Sequence, residues 1–300
     1  MKIVQSFWSK PQAVALLNGW ESRLHGGWYD DKYHHMSWAL SCLQLRRFYK
    51  DVELVTDEAG KKLLIDQLNL PYTKVTVVLD NINDYHPDLW ALGKLYSYNI
   101  QEEPFLHIDG DIYIWKPFEP ALLRSGLIAQ HLEKGHSYYV KVMKMVDEHI
   151  PYLPETLINY RKNNPAINAF NTGLFGGCDV EFIRKYSERA IQFVNDNIDY
   201  LNRISIGPFN TIYEQVLFLC MANEHHKPVH LFTSTIGEKN VNDEINSLAN
   251  FRKAPAGVPY IHLFGCNKKK IMYCREVAYK LKENHPAYYE MIMDMTAVFA

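Results

Sequence analysis

An alternation in the first third of the chain constrains the fold more than any other feature. Short runs rich in aliphatic and β-branched residues alternate with longer stretches whose apolar residues recur at helical spacing. Residues 2–7 (KIVQSF), 52–56 (VELVT), 74–79 (KVTVVL) and 105–108 (FLHI) read as strands. Residues 36–49, 58–68 and 88–99 read as helices between them, the second closing before Pro71 and the third opening at Pro87 or Asp88. Strand, helix and strand in repetition pack as a mostly parallel sheet with helices on both faces. The expected class is therefore α/β, a three-layer α/β/α arrangement with a mostly parallel central sheet. Ligands of such sheets bind beyond the carboxyl ends of the strands. Asp109 and Asp111 fall at that position.

The second half is less regular. Residues 127–130, 169–175 and 260–264 read as strands, and 180–196 and 211–222 as helices. Residues 131–168 are polar and Tyr-rich and match neither period. No internal repeat, low-complexity tract or linker divides the 300 residues, which read as a single domain elaborated in its second half.

Composition removes several function classes. The formal net charge is -2 and the longest run of lysines is Lys268 to Lys270, so the chain is not built to bind nucleic acid. Its five cysteines are odd in number and contain no C-x-x-C pair, which speaks against a disulfide framework or a cysteine zinc site. Reduced thiols in a cytoplasmic protein are the expectation. The N-terminal MKIVQSFWSKP lacks the long apolar region of a signal peptide, and no membrane span is expected. No G-x-S-x-G, P-loop or G-x-G-x-x-G motif occurs, so hydrolase-triad and Rossmann readings lack their local signatures.

Four blocks can carry chemistry. The first is FLHIDGDIYIWKP, residues 105–117. Asp109 and Asp111 just past a buried strand would be costly without partners. Gly110 between them permits a sharp turn and close approach to a ligand. Two such carboxylates can hold a hard divalent cation and leave positions open for phosphate oxygens. The tripeptide alone is equally explained by an ordinary acidic turn; the apolar strand before it and Ile112, Ile114, Trp115 and Pro117 after it favour a site. The second block is AFNTGLFGG, residues 169–177, where the Asn171 amide and a small-residue backbone could reach a polar substrate. By itself it reads as a turn rich in Asn and Gly rather than as a site. The third is the pair Glu214-Gln215 in TIYEQVLFL, otherwise a solvated helical face. The fourth is IHLFGCNKK, residues 261–269. A lone His is more often structural, but His262-x-x-Gly265-x-x-Lys268 after a strand is more specific. The adjacent pairs His34-His35 and His225-His226 lack the i, i+4 spacing of helical metal ligands.

In chain order, these blocks resemble the GT-A glycosyltransferases, especially the retaining group that includes glycogenin and bacterial lipopolysaccharide galactosyltransferases. LGKLYSYNIQEEPFLHIDGDIYIWKPF is similar to that group's helix–strand–DxD unit, with Lys94 at its lysine. FNTGLF resembles its F-N-[ST]-G-V-F strand, Glu214-Gln215 its Asp-Gln pair, and His262-x-x-Gly265-x-x-Lys268 its H-x-x-G-x-x-K-P-W ending. The DxD unit is also similar to that of capsule and mannosyl transferases. The resemblance covers roughly residues 88–270 in scattered blocks.

It implies a GT-A-like fold, with residues 1–125 as a nucleotide-binding half and 126–300 as an acceptor-binding half with C-terminal helices. It implies an enzyme that transfers a sugar from a nucleotide-sugar donor, a UDP-sugar, to a glycan or other acceptor with retention. Asp109, Asp111 and His262 would hold Mn²⁺ or Mg²⁺. Lys94 and Lys268 would contact the diphosphate. Asn171, Thr172, Gly173 and Gln215 would orient the donor sugar or acceptor, and Glu214, Gln215 and Lys94 form the catalytic set. Gly110 and Gly265 would let backbone approach the donor, and Phe7 and Trp8 are candidates for stacking on the base, against core or rim packing. Three departures bear on retention more than on fold. Glu214 stands where the group has Asp, Lys269-Lys270 replace Pro-Trp, and Asp111 is further from Asn171 than in glycogenin. Residues 131–168 could form an acceptor lid or surface filler. Two other readings remain: a non-catalytic relative that binds a glycan or a partner, and a sugar nucleotidyltransferase. The latter lacks its Gly-rich, Arg-containing loop, because FWSKPQAV follows the first strand.

Overall fold

The computed structural model describes residues 1–18, 24–237, 239, 241–254 and 256–297. Among them the strands follow in chain order as β1 (Lys2–Phe7), β2 (Val52–Thr56), β3 (Lys74–Val77), β4 (Phe105–Ile108), β5 (Ile112–Ile114), β6 (Leu127–Lys134), β7 (Ala169–Gly177), β8 (Val229–Leu231), β9 (Ile236–Gly237) and β10 (Tyr260–His262). The chain is α/β and its strand pairs are mostly parallel. β1 with β2, β2 with β3, and β6 with both β8 and β9 are parallel, whereas β6 with β7 and β5 with β10 are antiparallel. The chain condenses into two compact units of interleaved segments. One comprises Lys2–Pro87, Ile108–Phe118 and Ile245–Ala300, and the other Met1, Asp88–His107 and Glu119–Glu244.

In the first unit β2 lies between β1 and β3. All five residues of β2 are buried, which is why it reads as an apolar run apart from Glu53 and the closing Thr56. That carboxylate is 3% exposed and is held by Lys2 at 3.0 Å, Lys74 at 2.9 Å and the Thr76 hydroxyl at 2.6 Å. The helix Asp31–Phe48 starts where the Asp30 side chain accepts from the Lys32 amide at 3.0 Å, and it buries an unbroken run from Met36 to Leu45. The short β5–β10 ribbon places Ile112 opposite His262, and the Leu263 amide donates to the Asp111 carbonyl at 3.0 Å. This register sets the first candidate block beside the fourth.

The second unit contains β4 as far as His107, with β7, β6 and β8 following as neighbours in that order. β6 shifts register against β7 between Ala129 and His131. Gly176 is required by close approach: a Cβ there would lie 2.1 Å from the Phe105 carbonyl oxygen. Tyr98, Phe175, Tyr186 and Phe218 pack as an aromatic core against these strands, with Tyr98 and Phe175 stacked at 4.5 Å.

Several boundaries differ from the sequence reading. The helix expected over 58–68 forms α-helix only at Glu58–Lys61, then a wider π-turn over Lys62–Gln67. The helix expected from residue 88 starts at Leu92, because the Asn210 side chain takes the Ala91 amide at 2.9 Å and the Asp88 carbonyl at 2.7 Å. Residues 131–168 hold the end of β6 and two helices, Ser137–His149 and Glu155–Asn163. The helical segment expected over 211–222 begins at Ile206 and contains a π-turn at Ile212–Val216. No helix among the described residues is long and apolar enough to cross a membrane.

Candidate functional site

The D-G-D turn joins β4 to β5 and is clamped by the helix Asp31–Phe48. Ser37 Oγ donates to the Gly110 carbonyl at 2.8 Å, and Ser41 Oγ to the Ile112 carbonyl at 2.7 Å. Gln5 Nε2 donates to Ser41 Oγ at 2.9 Å and to the Ile108 carbonyl at 3.3 Å. The Trp38 indole lies against the turn, with ring carbons 2.7 Å from where a Cβ on Gly110 would stand. The glycine is therefore needed for space. Gly110→Ala is expected to lower the unfolding free energy by about 1–3 kcal/mol, the range for overpacking a filled interior. Urea unfolding followed by circular dichroism checks this; an unchanged midpoint contradicts it.

Donor atoms of Asp109, Asp111 and His262 all lie within 4.8 Å of one another. Asp111 is 8% exposed and His262 2%. Asp111 Oδ2 is 2.6 Å from Lys268 Nζ, and Oδ1 is 3.3 Å from His262 Nε2. That Oδ1 is buried and makes no hydrogen bond among the described residues. Burial pushes the Asp111 carboxyl up, but the Lys268 and His262 charges outweigh it and hold the group well below the usual carboxylate range. An ionised carboxylate with an unbonded buried oxygen, a second carboxylate and an imidazole make a donor set that fits a divalent cation. Lys268 is carried by the short turn Gly265–Lys269, where Gly265 has φ +61°. Tyr29 fixes that turn by donating its amide to the Lys268 carbonyl at 3.2 Å.

Phe7 and Trp8 lie inside the same unit, 8% and 7% exposed. Phe7 packs against His34 and Trp38, with ring centroids at 5.7 and 5.1 Å, and Trp8 Nε1 donates to Asn83 Oδ1 at 2.9 Å. Phe7 thus backs the clamp helix. His34 completes that layer. Burial drives its pKa well below the usual histidine value, and its Nε2 accepts from Trp38 Nε1 at 3.0 Å.

The second unit gathers the remaining candidates. Lys94 Nζ is 2.7 Å from Glu214 Oε1 and donates to the Thr172 carbonyl at 3.2 Å. Glu214 is fully buried on the π-turn, its carbonyl accepting from the Tyr186 hydroxyl at 2.5 Å. Such turns rotate one residue out of helical register and recur at functional sites. Asn171 Oδ1 accepts from the Gly173 amide at 3.1 Å, and its Nδ2 donates to Glu133 Oε1 at 3.2 Å. The Tyr139 hydroxyl stands 2.5 Å from Glu133 Oε2 and 2.8 Å from Gln215 Oε1.

Glu133 is the member that sequence reasoning missed. It lies at the end of β6, with His131 Nε2 at 3.0 Å. The available signal was His131-x-Glu133, which on a strand puts both side chains on one face. Burial raises the Glu133 carboxyl, but hydrogen bonds from His131, Tyr139 and Asn171 outweigh it and hold the pKa below 4.5. A carboxyl depressed on folding adds stability above its unfolded pKa and loses it as pH falls through the folded one. The stability gap between the wild type and Glu133→Gln is therefore expected to be constant near neutral pH and to shrink once pH drops below 4.5. Unfolding titrations across that range check it, and a gap that widens on acidification contradicts it.

A model for a family of unknown function, DUF6734, matches residues 1–295. The chain belongs to DUF6734. No curated protein matches this DUF6734 sequence. Among solved structures, the chain is similar to mouse xyloside xylosyltransferase 1 in its apo form, at 12% identity and a TM-score of 0.41, over 89% of this chain and 98% of that one. It is also similar to the galactosyltransferase LgtC in complex with donor and acceptor sugar analogs, at 11% identity and a TM-score of 0.46, over 93% and 96% of the two chains. At this level of similarity no residue role passes from those enzymes to the DUF6734 chain.

Proposed function

We propose that this chain is a metal-dependent glycosyltransferase of the GT-A kind, moving a sugar from a UDP-sugar to a glycan or other acceptor with retention. The observation that carries the reading is the convergence of Asp109, Asp111 and His262, whose donor atoms lie within 4.8 Å of one another, with Asp111 Oδ1 buried and making no hydrogen bond among the described residues. A nucleoside diphosphate is the leaving group that needs such a centre. The same residues, in the same chain order, are the ones that resemble the retaining GT-A group.

Asp109, Asp111 and His262 hold the cation in this reading, and the imidazole favours Mn²⁺ over Mg²⁺. When bound, the metal supplies Lewis-acid neutralisation of the charge that grows on the departing diphosphate. Lys268 holds Asp111 in place and offers its ammonium group to phosphate oxygens. Gly110 and Gly265 keep side chains away from the donor at the two turns. Asn171, Thr172, Gly173 and Gln215 are assigned to orienting sugar hydroxyls, while Lys94 fixes Glu214 in its buried position. Glu133, through Tyr139 and Asn171, is assigned to holding Gln215 and Asn171 in one arrangement.

The test is nucleotide release from a panel of UDP- and GDP-sugars, with and without Mn²⁺, followed by NMR of the released or transferred sugar. The reading expects Mn²⁺-dependent release from a UDP-sugar, with the anomeric configuration kept. Inversion removes the retaining assignment. Release from no donor, with no nucleotide bound by folded protein, favours the non-catalytic reading.

A further inference from the structure

The stretch of sequence that matched neither period builds a second feature. Between the helices Ser137–His149 and Glu155–Asn163 the chain runs through Pro151, Tyr152, Leu153 and Pro154. This loop, with Asp147, Arg189 and Asp196, walls a cleft of about 430 Å³. That is within the range of small-molecule sites. No residue assigned to the metal centre or the Lys94–Glu214 cluster lines it.

The cleft has fixed walls. Asn197, fully buried, accepts from the Tyr152 amide at 3.1 Å and donates to the Tyr152 carbonyl at 3.0 Å and the Phe193 carbonyl at 2.8 Å. The loop backbone is thereby tied to the end of the helix Val180–Asn195. Tyr152 itself is 55% exposed, braced edge-on by Tyr200 at 5.9 Å, over which Arg203 sits at 4.9 Å. Asp147 is held by Arg161 through two contacts of 2.6 and 2.7 Å, and Asp196 Oδ1 accepts from Gln192 Nε2 at 2.5 Å. The exposed Arg189 guanidinium makes no ion pair or side-chain hydrogen bond among the described residues.

We propose that this cleft binds a segment of a neutral oligosaccharide. A braced, exposed tyrosine ring beside prolines offers an apolar platform for the C–H face of a pyranose. The Arg189 fork can donate to neighbouring hydroxyls, and the carboxylates of Asp147 and Asp196 can accept from them. The charges of Asp147 and Asp196 are balanced by Arg189 and Arg161, so the cleft offers hydrogen bonding in both directions without a net charge to select an acidic ligand. The proposal that the bound segment belongs to the acceptor glycan rests on the glycosyl-transfer reading.

The experiment is a microarray of neutral oligosaccharides of glucose, galactose, mannose, xylose and N-acetylglucosamine, with uronate-containing and sulfated glycans alongside. The full-length wild type, Tyr152→Ala, Arg189→Ala and Asp109→Asn are compared, and the strongest hit is titrated by calorimetry. The expected result is binding of a neutral class by the wild type, weakened at least tenfold by Tyr152→Ala and reduced by Arg189→Ala, with Asp109→Asn unaffected. Thermal shift by UDP and Mn²⁺ should stay intact in Tyr152→Ala. No binding to any neutral glycan, undiminished binding by Tyr152→Ala, or binding confined to acidic glycans overturns the proposal. Glycan binding without any nucleotide shift keeps the cleft and removes the glycosyl-transfer reading; a nucleotide shift without glycan binding does the reverse.

Discussion

Lys94→Met is expected to lower the unfolding free energy by about 3–5 kcal/mol, the cost of leaving a buried charge without its partner. Glu214 is fully buried and its ion-pair partner is Lys94, at 2.7 Å. Lys94 is itself 9% exposed, so solvent does little to screen the pair. Glu214 Oε2 has no hydrogen bond among the described residues. The double variant Lys94→Met/Glu214→Leu removes both charges and is expected to recover much of the loss, because an apolar pair of similar volume can match a buried ion pair. Chemical denaturation of the wild type, both single variants and the double variant closes the cycle. A Lys94→Met cost below about 1 kcal/mol, in the range of exposed pairs, would mean that water reaches Glu214.

Asp109→Asn and Asp111→Asn are each expected to abolish the Mn²⁺-dependent stabilisation that a nucleoside diphosphate gives the wild type. A ligand that binds only the native state stabilises by about 2.7 kcal/mol at one hundred times its dissociation constant. That shift should appear with UDP and Mn²⁺ together and vanish in either variant. Asp111 also anchors Lys268 at 2.6 Å, so its substitution frees that side chain as well. Thermal unfolding with and without UDP and Mn²⁺ reads both. A full nucleotide shift that persists in Asp109→Asn would sink the proposed metal ligation.

Much of the framework was legible in the sequence. β1, β2 and β4 fall on the residues read as strands, because short, largely buried runs rich in apolar and β-branched residues leave little other choice. The α/β class followed from their alternation with helices. The helix Ser137–His149 was missed although Tyr139, Val142, Met143 and Val146 mark a buried helical stripe. Exposed Tyr138 and Val140 blur that stripe in the sequence. The π-turns at Lys62–Gln67 and Ile212–Val216 have no local signature that separates them from an α-helix.

The candidate site divides in the same way. Asp109, Asp111 and His262 stood out because their residue types and strand-end positions are local properties, and the β5–β10 register brings them together. The clamp of Ser37, Trp38 and Ser41 on the D-G-D turn comes from a helix some seventy residues earlier, which no local pattern announces. The burial of Phe7 involves that same helix, through His34 and Trp38. Glu133 was hidden because its value lies in Tyr139, Asn171 and His131, which only the fold collects around it.

The most direct test of the central claim is an electron paramagnetic resonance titration of Mn²⁺ into the protein with and without UDP. A divalent centre of Asp109, Asp111 and His262 predicts that the six-line signal of free Mn²⁺ is suppressed by one equivalent of wild-type protein with UDP and returns in Asp109→Asn. A free-ion signal that the wild type leaves unchanged, with UDP present and the protein folded, would contradict it.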